Sequence, residues 1–205
     1  MYAYIHGLNS DGKRSFKNLS EFLDGKVFNL SWECDRPFDE NLAYLISQCE
    51  ELEDAYPPDD PFFESFIVIG SSMGGYYASV LSSIKHYPCA LFNPVVYPQK
   101  TLQKFKGPNT NFATGKKYEL TQELIDSYNF SGNLKRYGIS RFIILGRNDE
   151  VLDYREAEEF YRGIGHTVIT DNCHQIADYS PFKSEIESLN NHAWIDSGEL
   201  MSYSE

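Results

Sequence analysis

The pentapeptide Gly70-Ser71-Ser72-Met73-Gly74 holds the residues of this chain that are best suited to chemistry. A Gly-x-Ser-x-Gly sequence can form a sharp turn between a strand and a helix, where glycines avoid the clashes that a Cβ atom would cause. The turn exposes the central serine hydroxyl and directs the next N–H, at the positive end of the helix dipole, toward the same space. We therefore predict that Ser72 is a nucleophile and that Met73 supplies half of an oxyanion hole.

The residues on both sides of the pentapeptide have the types that this turn requires. Phe66-Ile67-Val68-Ile69 is a short apolar run of the kind that forms a strand buried on both faces. After it, the segment 76–84 contains regularly placed apolar residues and no helix breaker, which indicates a helix. The alternative is a glycine-rich turn with an idle serine.

A serine nucleophile needs a base, and the base needs a carboxylate that fixes its tautomer. The run Phe142-Ile143-Ile144-Leu145 predicts a strand, and Asp149 lies in the loop that follows it. We predict Asp149 as this carboxylate, with Glu150 and Asp153 as alternatives. Asp153 is also placed like the N-cap of the next helix. A loop or capping carboxylate is the alternative interpretation of Asp149.

His174 is the predicted base, because it lies in the loop after the last apolar run, Thr167-Val168-Ile169-Thr170. The order Ser, Asp, His along the chain is the order found in α/β-hydrolases. Of the other histidines after Ser72, His86 falls near a helix end and His166 lies before the strand, while His192 lies in the C-terminal tail. A surface or core position for His174 is the alternative.

The second oxyanion donor is expected in the loop after the first strand, Tyr2-Ala3-Tyr4-Ile5. His6 and Gly7 follow this strand at once; Gly7 lets the backbone approach a substrate, and the N–H of Leu8 is the predicted donor. We expect His6 to fix this loop by hydrogen bonds rather than to transfer protons. Residues near the predicted site are candidates for the substrate pocket, although its aromatic members could equally be core residues: His6, Tyr76, Tyr77, Phe92, Asn93 and Tyr97.

Six short apolar runs alternate with helical patterns along the chain, which predicts βαβ units and a mostly parallel sheet of about six strands flanked by helices. The expected strands are 2–5, 27–30, 66–69, 89–92, 142–145 and 167–170, and the expected helices are 39–54, 75–85, 153–162 and 181–189. In such a sheet the active site lies at the carboxyl ends of the strands.

The length of 205 residues suits one domain, which we place at residues 1–189, followed by a C-terminal tail at 190–205. The segment 97–136 lies between two core strands and contains a moderate helical pattern at 121–127. We predict that it forms either a small cap over the site or a surface excursion without function. The Pro/Asp-rich segment 56–61 is expected to form a surface loop.

Composition excludes several classes of protein. Hydrophobic content of 41% is too high for a disordered chain. No apolar run is long enough to span a bilayer, and the N-terminus has no signal-peptide pattern, so we expect a cytoplasmic protein that does not bind membranes. The net charge of −12 argues against nucleic acid as a partner. The four scattered cysteines favour reduced thiols over disulfides or zinc ligands, and we expect no metal and no cofactor.

Several segments resemble the YqiA-type esterases, small bacterial members of the α/β-hydrolase superfamily. The resemblance extends to about residue 189 and rests on five segments: His6-Gly7-Leu8-Asn9-Ser10, Gly70 to Ala78, Phe92-Asn93-Pro94, Thr114-Gly115 and Asn148 to Tyr154. It implies an α/β-hydrolase fold and a carboxylic ester hydrolase with Ser72, Asp149 and His174 as its triad and no metal. Cys173 and Gln175 depart from the usual Asn-His-Ala-Phe of this family, and the tail after Asn190 is an addition to it.

The sequence therefore predicts a serine hydrolase that cleaves small carboxylic esters or thioesters, with short acyl chains preferred because aromatic residues surround the site. A thioesterase or small peptidase could use the same triad. A binding protein on a hydrolase scaffold is an alternative of a different class. The sequence does not indicate the oligomeric state.

Overall fold

The computed structural model describes residues 1–56 and 66–189. Within them the strands are β1 (Tyr2–Ile5), β2 (Val27–Leu30), β3 (Ile67–Ser71), β4 (Cys89–Phe92), β5 (Gly107–Thr110), β6 (Lys117–Leu120), β7 (Arg141–Gly146) and β8 (His166–Thr170). The α-helices are α1 (Lys13–Phe22), α2 (Phe38–Ala55), α3 (Met73–Lys85), α4 (Pro98–Leu102), α5 (Gln122–Asp126), α6 (Tyr154–Phe160) and α7 (Lys183–Ser188).

Six of these strands form one sheet in the order β2-β1-β3-β4-β7-β8, and every neighbouring pair is parallel. The four central strands are continuous apolar runs because both of their faces are covered, and β1, β4 and β7 are buried along their whole length. The predicted strands all occur, within two residues at their ends. The predicted parallel sheet of six strands flanked by helices is confirmed.

Alternate side chains of each strand enter two separate hydrophobic clusters, one on each face of the sheet. On one face, Ile5, Val68 and Leu91 pack with residues of α2 and α3 such as Leu45 and Leu81. On the other face, Tyr4, Ile69 and Phe92 pack with Leu19 of α1 and Ile186 of α7. The structure is thus a three-layer sandwich, and its central sheet is held rigidly between the two helical layers.

This topology brings the loops after five strands to one edge of the sheet. The carboxyl ends of β1, β3, β4, β7 and β8 lie side by side, because these strands are parallel and consecutive in the sheet. β1 and β8 are the outermost of the five. The loops that carry the predicted site residues therefore meet at this edge.

The segment 97–136, predicted as a cap or a surface excursion, contains α4, α5 and an antiparallel hairpin of β5 and β6. The predicted helix at 121–127 corresponds to α5. The hairpin, α4 and α1 are not among the elements expected from the sequence, although Phe16, Leu19 and Leu23 in and just after α1 have the three- and four-residue spacing of an apolar helix face.

Several predictions fall on residues outside the described ranges, namely the tail at 190–205 with His192, and most of the loop at 56–61. In the two ranges that the structure describes, no helix is both long enough and apolar enough to cross a membrane.

Candidate active site

Ser72 lies between β3 and α3 in a backbone conformation that only a constrained turn maintains. Its φ of 56° and ψ of −121° are strained for a residue with a side chain. The flanking glycines make the turn possible: a Cβ atom at Gly70 would collide with the backbone of Gly74, and one at Gly74 would collide with the carbonyls of Ile5 and His6. The half-buried Ser72 side chain is thereby held at the carboxyl edge of the sheet.

His174 lies in hydrogen-bond contact with both Ser72 and Asp149. Its Nε2 is 3.1 Å from Ser72 Oγ, and its Nδ1 is 2.8 Å from Asp149 Oδ2. Because a carboxylate only accepts hydrogen bonds, Nδ1 carries the proton and Nε2 has a free lone pair that can accept the Ser72 hydroxyl. The structure thus brings together the three residues that the sequence analysis selected, in the geometry that allows a base to activate a serine.

The carboxylate of Asp149 is held on both of its oxygens. Oδ1 accepts hydrogen bonds of 2.8 Å from the N–H groups of Val151 and Leu152, which leaves Oδ2 for His174. The side chain is 2% exposed, so water competes little for these bonds. Asp153, one of the alternatives, is the N-cap of α6 and accepts from the N–H of Arg155.

Glu150, the other alternative, contacts the backbone of His174 rather than its ring. Its Oε2 accepts a 3.0 Å hydrogen bond from the His174 N–H. This bond is the main cause that lowers the pKa of the Glu150 carboxyl, which favours the ionised acceptor. Two adjacent carboxylates therefore hold the same histidine, one through its ring and one through its backbone.

Asn93 connects the loop that carries Asp149 to the loop that carries His174. Its Oδ1 accepts a 2.6 Å bond from the N–H of Gly146, and its Nδ2 donates to the carbonyls of Cys173 and His174 at 3.1 and 3.0 Å. Asn93 is 3% exposed and was selected from the sequence as a pocket residue. In the structure both polar atoms of its side chain bond to backbone groups of the protein, so Asn93 holds the histidine loop in place.

The loop after β1 lies against the serine turn. A Cβ atom at Gly7 would lie only 3.2 Å from Ser72 Cβ, so glycine permits this close approach. His6 is buried, stacks on Trp32 with ring centroids 5.5 Å apart, and donates from Nδ1 to the Gly7 carbonyl at 2.8 Å. Burial lowers the pKa of His6, which favours a neutral ring. Its contacts are those of a residue that fixes a loop.

The two predicted oxyanion donors flank this contact between loop and turn. Met73 is the first residue of α3, where an N–H has no acceptor one turn earlier in the helix. Leu8 directly follows Gly7 and is partly buried against the core. Met73 thus follows Ser72 directly in the chain, and Leu8 follows Gly7, the residue whose backbone lies against Ser72.

The candidates for the substrate pocket separate into two groups. Tyr76 and Tyr97 line a cavity of about 520 Å³ together with Val96, Pro98, Gln99, Lys100, Tyr128, Asn129, Phe130 and Leu134. Tyr77 and Phe92 do not line it, because both are fully buried in the core. Tyr77 bonds to the hydroxyl of Tyr128, and Phe92 lies on the opposite face of the sheet against Tyr179.

Two further histidines and two buried cysteines of the described ranges lie outside the contacts of the Ser72 turn. His86 is the C-cap of α3, and His166 begins β8 at the opposite edge of the sheet. Burial raises the pKa of the Cys89 thiol. It also raises the pKa of the Cys49 thiol, in that case to about 12. Across residues 1–56 and 66–189, no cluster of three His, Cys, Asp or Glu side chains is arranged to hold a metal ion.

Comparison with protein families gives a match over nearly the whole chain. Residues 1–191 match the model of a family described as "Uncharacterised protein family (UPF0227)". A "UPF0227 protein" of Citrobacter koseri is 21% identical over 194 residues, which cover 92% of this chain and 98% of that protein. The match confirms the resemblance to YqiA-type proteins that the sequence motifs indicated.

Comparison with solved structures confirms the predicted α/β-hydrolase fold. A hydrolase of the alpha/beta superfamily from Oenococcus oeni has a TM-score of 0.60 and 18% identity, with 84% of each chain covered. The Pyrococcus furiosus esterase Pf2001 has a TM-score of 0.59 and 19% identity, with 92% of this chain and 80% of that chain covered. At these identities the likeness concerns the fold alone.

Proposed function

This chain belongs to the UPF0227 family and has the α/β-hydrolase fold, and we propose that it is a serine hydrolase that cleaves carboxylic esters. The observation that carries this proposal is the continuous chain of contacts from Asp149 Oδ2 through His174 to Ser72 Oγ. The esterase of Pyrococcus furiosus with the same fold supports an ester as substrate.

In the proposed reaction, His174 Nε2 takes the proton of Ser72 as Oγ bonds to the carbonyl carbon of the ester. The carbonyl oxygen becomes an oxyanion that accepts from the N–H groups of Met73 and Leu8, while Asp149 stabilises the imidazolium. Collapse of the tetrahedral intermediate breaks the bond to the alcohol, which leaves with the proton from His174. A water molecule then releases the acid from Ser72 by the same steps.

We place the acyl group of the substrate in the cavity lined by Tyr76 and Tyr97. Tyr76 is one helical turn beyond Ser72, and the Ser72 carbonyl accepts from the N–H of Val95, next to Val96 in the cavity wall. A volume of about 520 Å³ lies in the range of small-molecule sites. Ser72 and His174 are not among the residues that line this cavity, and the support for its assignment is that these backbone contacts join its wall to the serine turn.

Replacement of Ser72 tests the proposal directly. We expect Ser72→Ala to reduce hydrolysis of p-nitrophenyl acetate and butyrate by about 10⁴-fold or more, since Ser72 Oγ is the proposed acceptor of the acyl group. Ser71→Ala is the matched control and should retain most of the activity. Circular dichroism of both variants checks folding. Hydrolysis that persists in Ser72→Ala would reject the assignment.

A series of p-nitrophenyl esters tests the acyl-chain preference. We expect kcat/KM to fall from butyrate to octanoate, because the aromatic side chains of Tyr76 and Tyr97 occupy part of the cavity wall and limit its length. Tyr97→Ala should reduce this fall, since Tyr97 is 46% exposed and can be truncated without loss of core packing. A wild-type preference for long chains would contradict the short-chain assignment.

The same contacts would serve a thioesterase or a small peptidase, so thioester and peptide substrates belong in the same panel. A binding protein on this scaffold is separated by a fluorophosphonate probe, because only an activated serine reacts with it. Labelling of the wild type but not of Ser72→Ala supports an enzyme. Absence of labelling and of turnover would favour the binding protein.

A further inference from the structure

The hairpin of β5 and β6 makes several contacts with the loop after β1. The loop residues that it contacts have no role in the proposed reaction. Three of them converge on Asn9, which follows Leu8, the second proposed oxyanion donor. A fourth joins Asn111 Nδ2 to the Ser10 carbonyl at 3.4 Å. Asn9 is buried and has a φ of 59°, a left-handed conformation that needs support from its surroundings. The position of this residue therefore influences where the Leu8 N–H points.

Both ends of the Asn9 side chain bond to the hairpin. Its Oδ1 accepts a 2.6 Å hydrogen bond from the hydroxyl of Tyr118, and its Nδ2 donates to Asn109 Oδ1 at 3.4 Å. Asn109 and Tyr118 are directly paired across the hairpin, so their side chains emerge on the same face. Burial raises the pKa of Tyr118, which keeps its hydroxyl protonated and able to donate.

The orientation of Asn109 is itself fixed. Its Nδ2 donates to the carbonyls of Phe105 and Gly107 at 2.6 and 3.0 Å, which leaves Oδ1 directed at Asn9. The Asn9 backbone is held as well: its carbonyl accepts a 3.1 Å bond from the N–H of Phe112 at the hairpin tip, and its N–H donates to Cys34 Sγ at 3.4 Å.

A second anchor attaches the hairpin to the segment between β2 and α2. Lys116 bridges Glu33 at 3.0 Å and Asp35 at 2.9 Å. These ion pairs are partly exposed and contribute little energy each. They nevertheless place the hairpin on the same side of the site as Cys34, the other contact of Asn9.

We propose that the hairpin 107–120 is a clamp that sets the oxyanion hole, with Tyr118 and Asn109 as positioning residues that act on the Leu8 N–H through Asn9. This inference rests on the proposed hydrolase function. The opposite side of the loop is already fixed, because the His6 carbonyl accepts a 2.9 Å bond from Trp32 Nε1. The hairpin supplies the second fixed point, so that the backbone of Gly7 and Leu8 spans two anchors.

Tyr118→Phe is the decisive variant, because it removes one hydroxyl and leaves the ring in place. We expect kcat for p-nitrophenyl acetate to fall about tenfold, less than the 10²–10³-fold cost of deleting an oxyanion donor, since Leu8 is displaced and not removed. KM should change little. The affinity for a phenylboronic acid, whose tetrahedral adduct places an oxygen in the same hole, should weaken by a similar factor.

Tyr137→Phe is the matched control, since it makes the same chemical change at a side chain that is 77% exposed. It should leave kcat and boronate affinity unchanged. Asn109→Ala provides a second variant that keeps the tyrosine, and we expect it to lower kcat in the same direction by a smaller factor. Circular dichroism and thermal unfolding verify that each variant is folded.

The outcomes separate this inference from the proposed function. If the wild type has Ser72-dependent activity and both folded hairpin variants keep the wild-type kcat and boronate affinity, the clamp is rejected and the hydrolase stands. If both variants lose stability but retain kcat, the hairpin is only structural and the clamp is again rejected. If the wild type shows no Ser72-dependent turnover, both proposals fail.

Discussion

Replacing Asn93 with aspartate should displace His174, the proposed base, from Ser72 and Asp149, although the shape of the substituted side chain hardly changes. The substituted side chain keeps an oxygen that accepts from the Gly146 N–H. It replaces the amide nitrogen, which donates to the carbonyls of Cys173 and His174 at 3.1 and 3.0 Å, with a second oxygen. Two donated hydrogen bonds thus become repulsive contacts between oxygens.

The magnitude follows from these bonds. Each buried hydrogen bond contributes about 1 kcal/mol net, and unpaired buried acceptors cost about 1–3 kcal/mol, so we expect a loss of about 2–4 kcal/mol in the free energy of unfolding. For a chain of this size that corresponds to a fall of about 4–16 °C in the unfolding midpoint. Displacement of the His174 loop by about 1 Å would lower kcat by about 10²-fold.

Urea unfolding followed by circular dichroism measures the stability, and hydrolysis of p-nitrophenyl acetate at saturation measures kcat. Asn18→Asp is the matched control, because Asn18 donates a single exposed bond, to the carbonyl of Ala177. It should change stability by less than about 0.5 kcal/mol. A loss below 1 kcal/mol in Asn93→Asp, together with unchanged kcat, would refute the argument that Asn93 fixes the histidine loop.

Two further predictions concern titration and the choice between adjacent carboxylates. Burial lowers the pKa of His6 in the folded chain, whereas in the unfolded chain His6 has the usual histidine pKa of about 6.5. Below this pH the unfolded chain binds the proton more readily than the folded chain does. The free energy of unfolding therefore falls as the pH drops below about 6.5, by up to about 1.4 kcal/mol per pH unit. In His6→Gln, urea unfolding at a series of pH values should lack this pH dependence of the free energy of unfolding. The same pH dependence in the variant as in the wild type would contradict the prediction. Asp149→Asn should lower kcat by about 10⁴-fold, whereas Glu150→Gln keeps an oxygen for the His174 N–H and should cost less than tenfold. A larger loss in Glu150→Gln would reverse their assignment.

The sequence determined the local elements and the places where chemistry could occur. Continuous apolar runs such as those of β3 and β7 identify buried parallel strands, because strands covered on both faces contain no polar alternation. The glycines on both sides of Ser72 identify the strained turn, since a residue with a Cβ atom does not fit at position 70 or position 74. Asp149 and His174 could be selected because each follows a strand end, and in a parallel sheet all such ends meet at one edge.

The tertiary structure alone decided which neighbours these residues have. Asn93, Tyr77 and Phe92 all lie near predicted site residues along the chain. Only the strand order and the directions of the side chains show that Asn93 bridges two loops, whereas Tyr77 and Phe92 belong to the core. Asn9 and Tyr118 are 109 residues apart, and nothing in the local pattern of either indicates their contact. Local periodicity specifies which elements form, whereas contacts between distant loops depend on how the whole sheet is assembled.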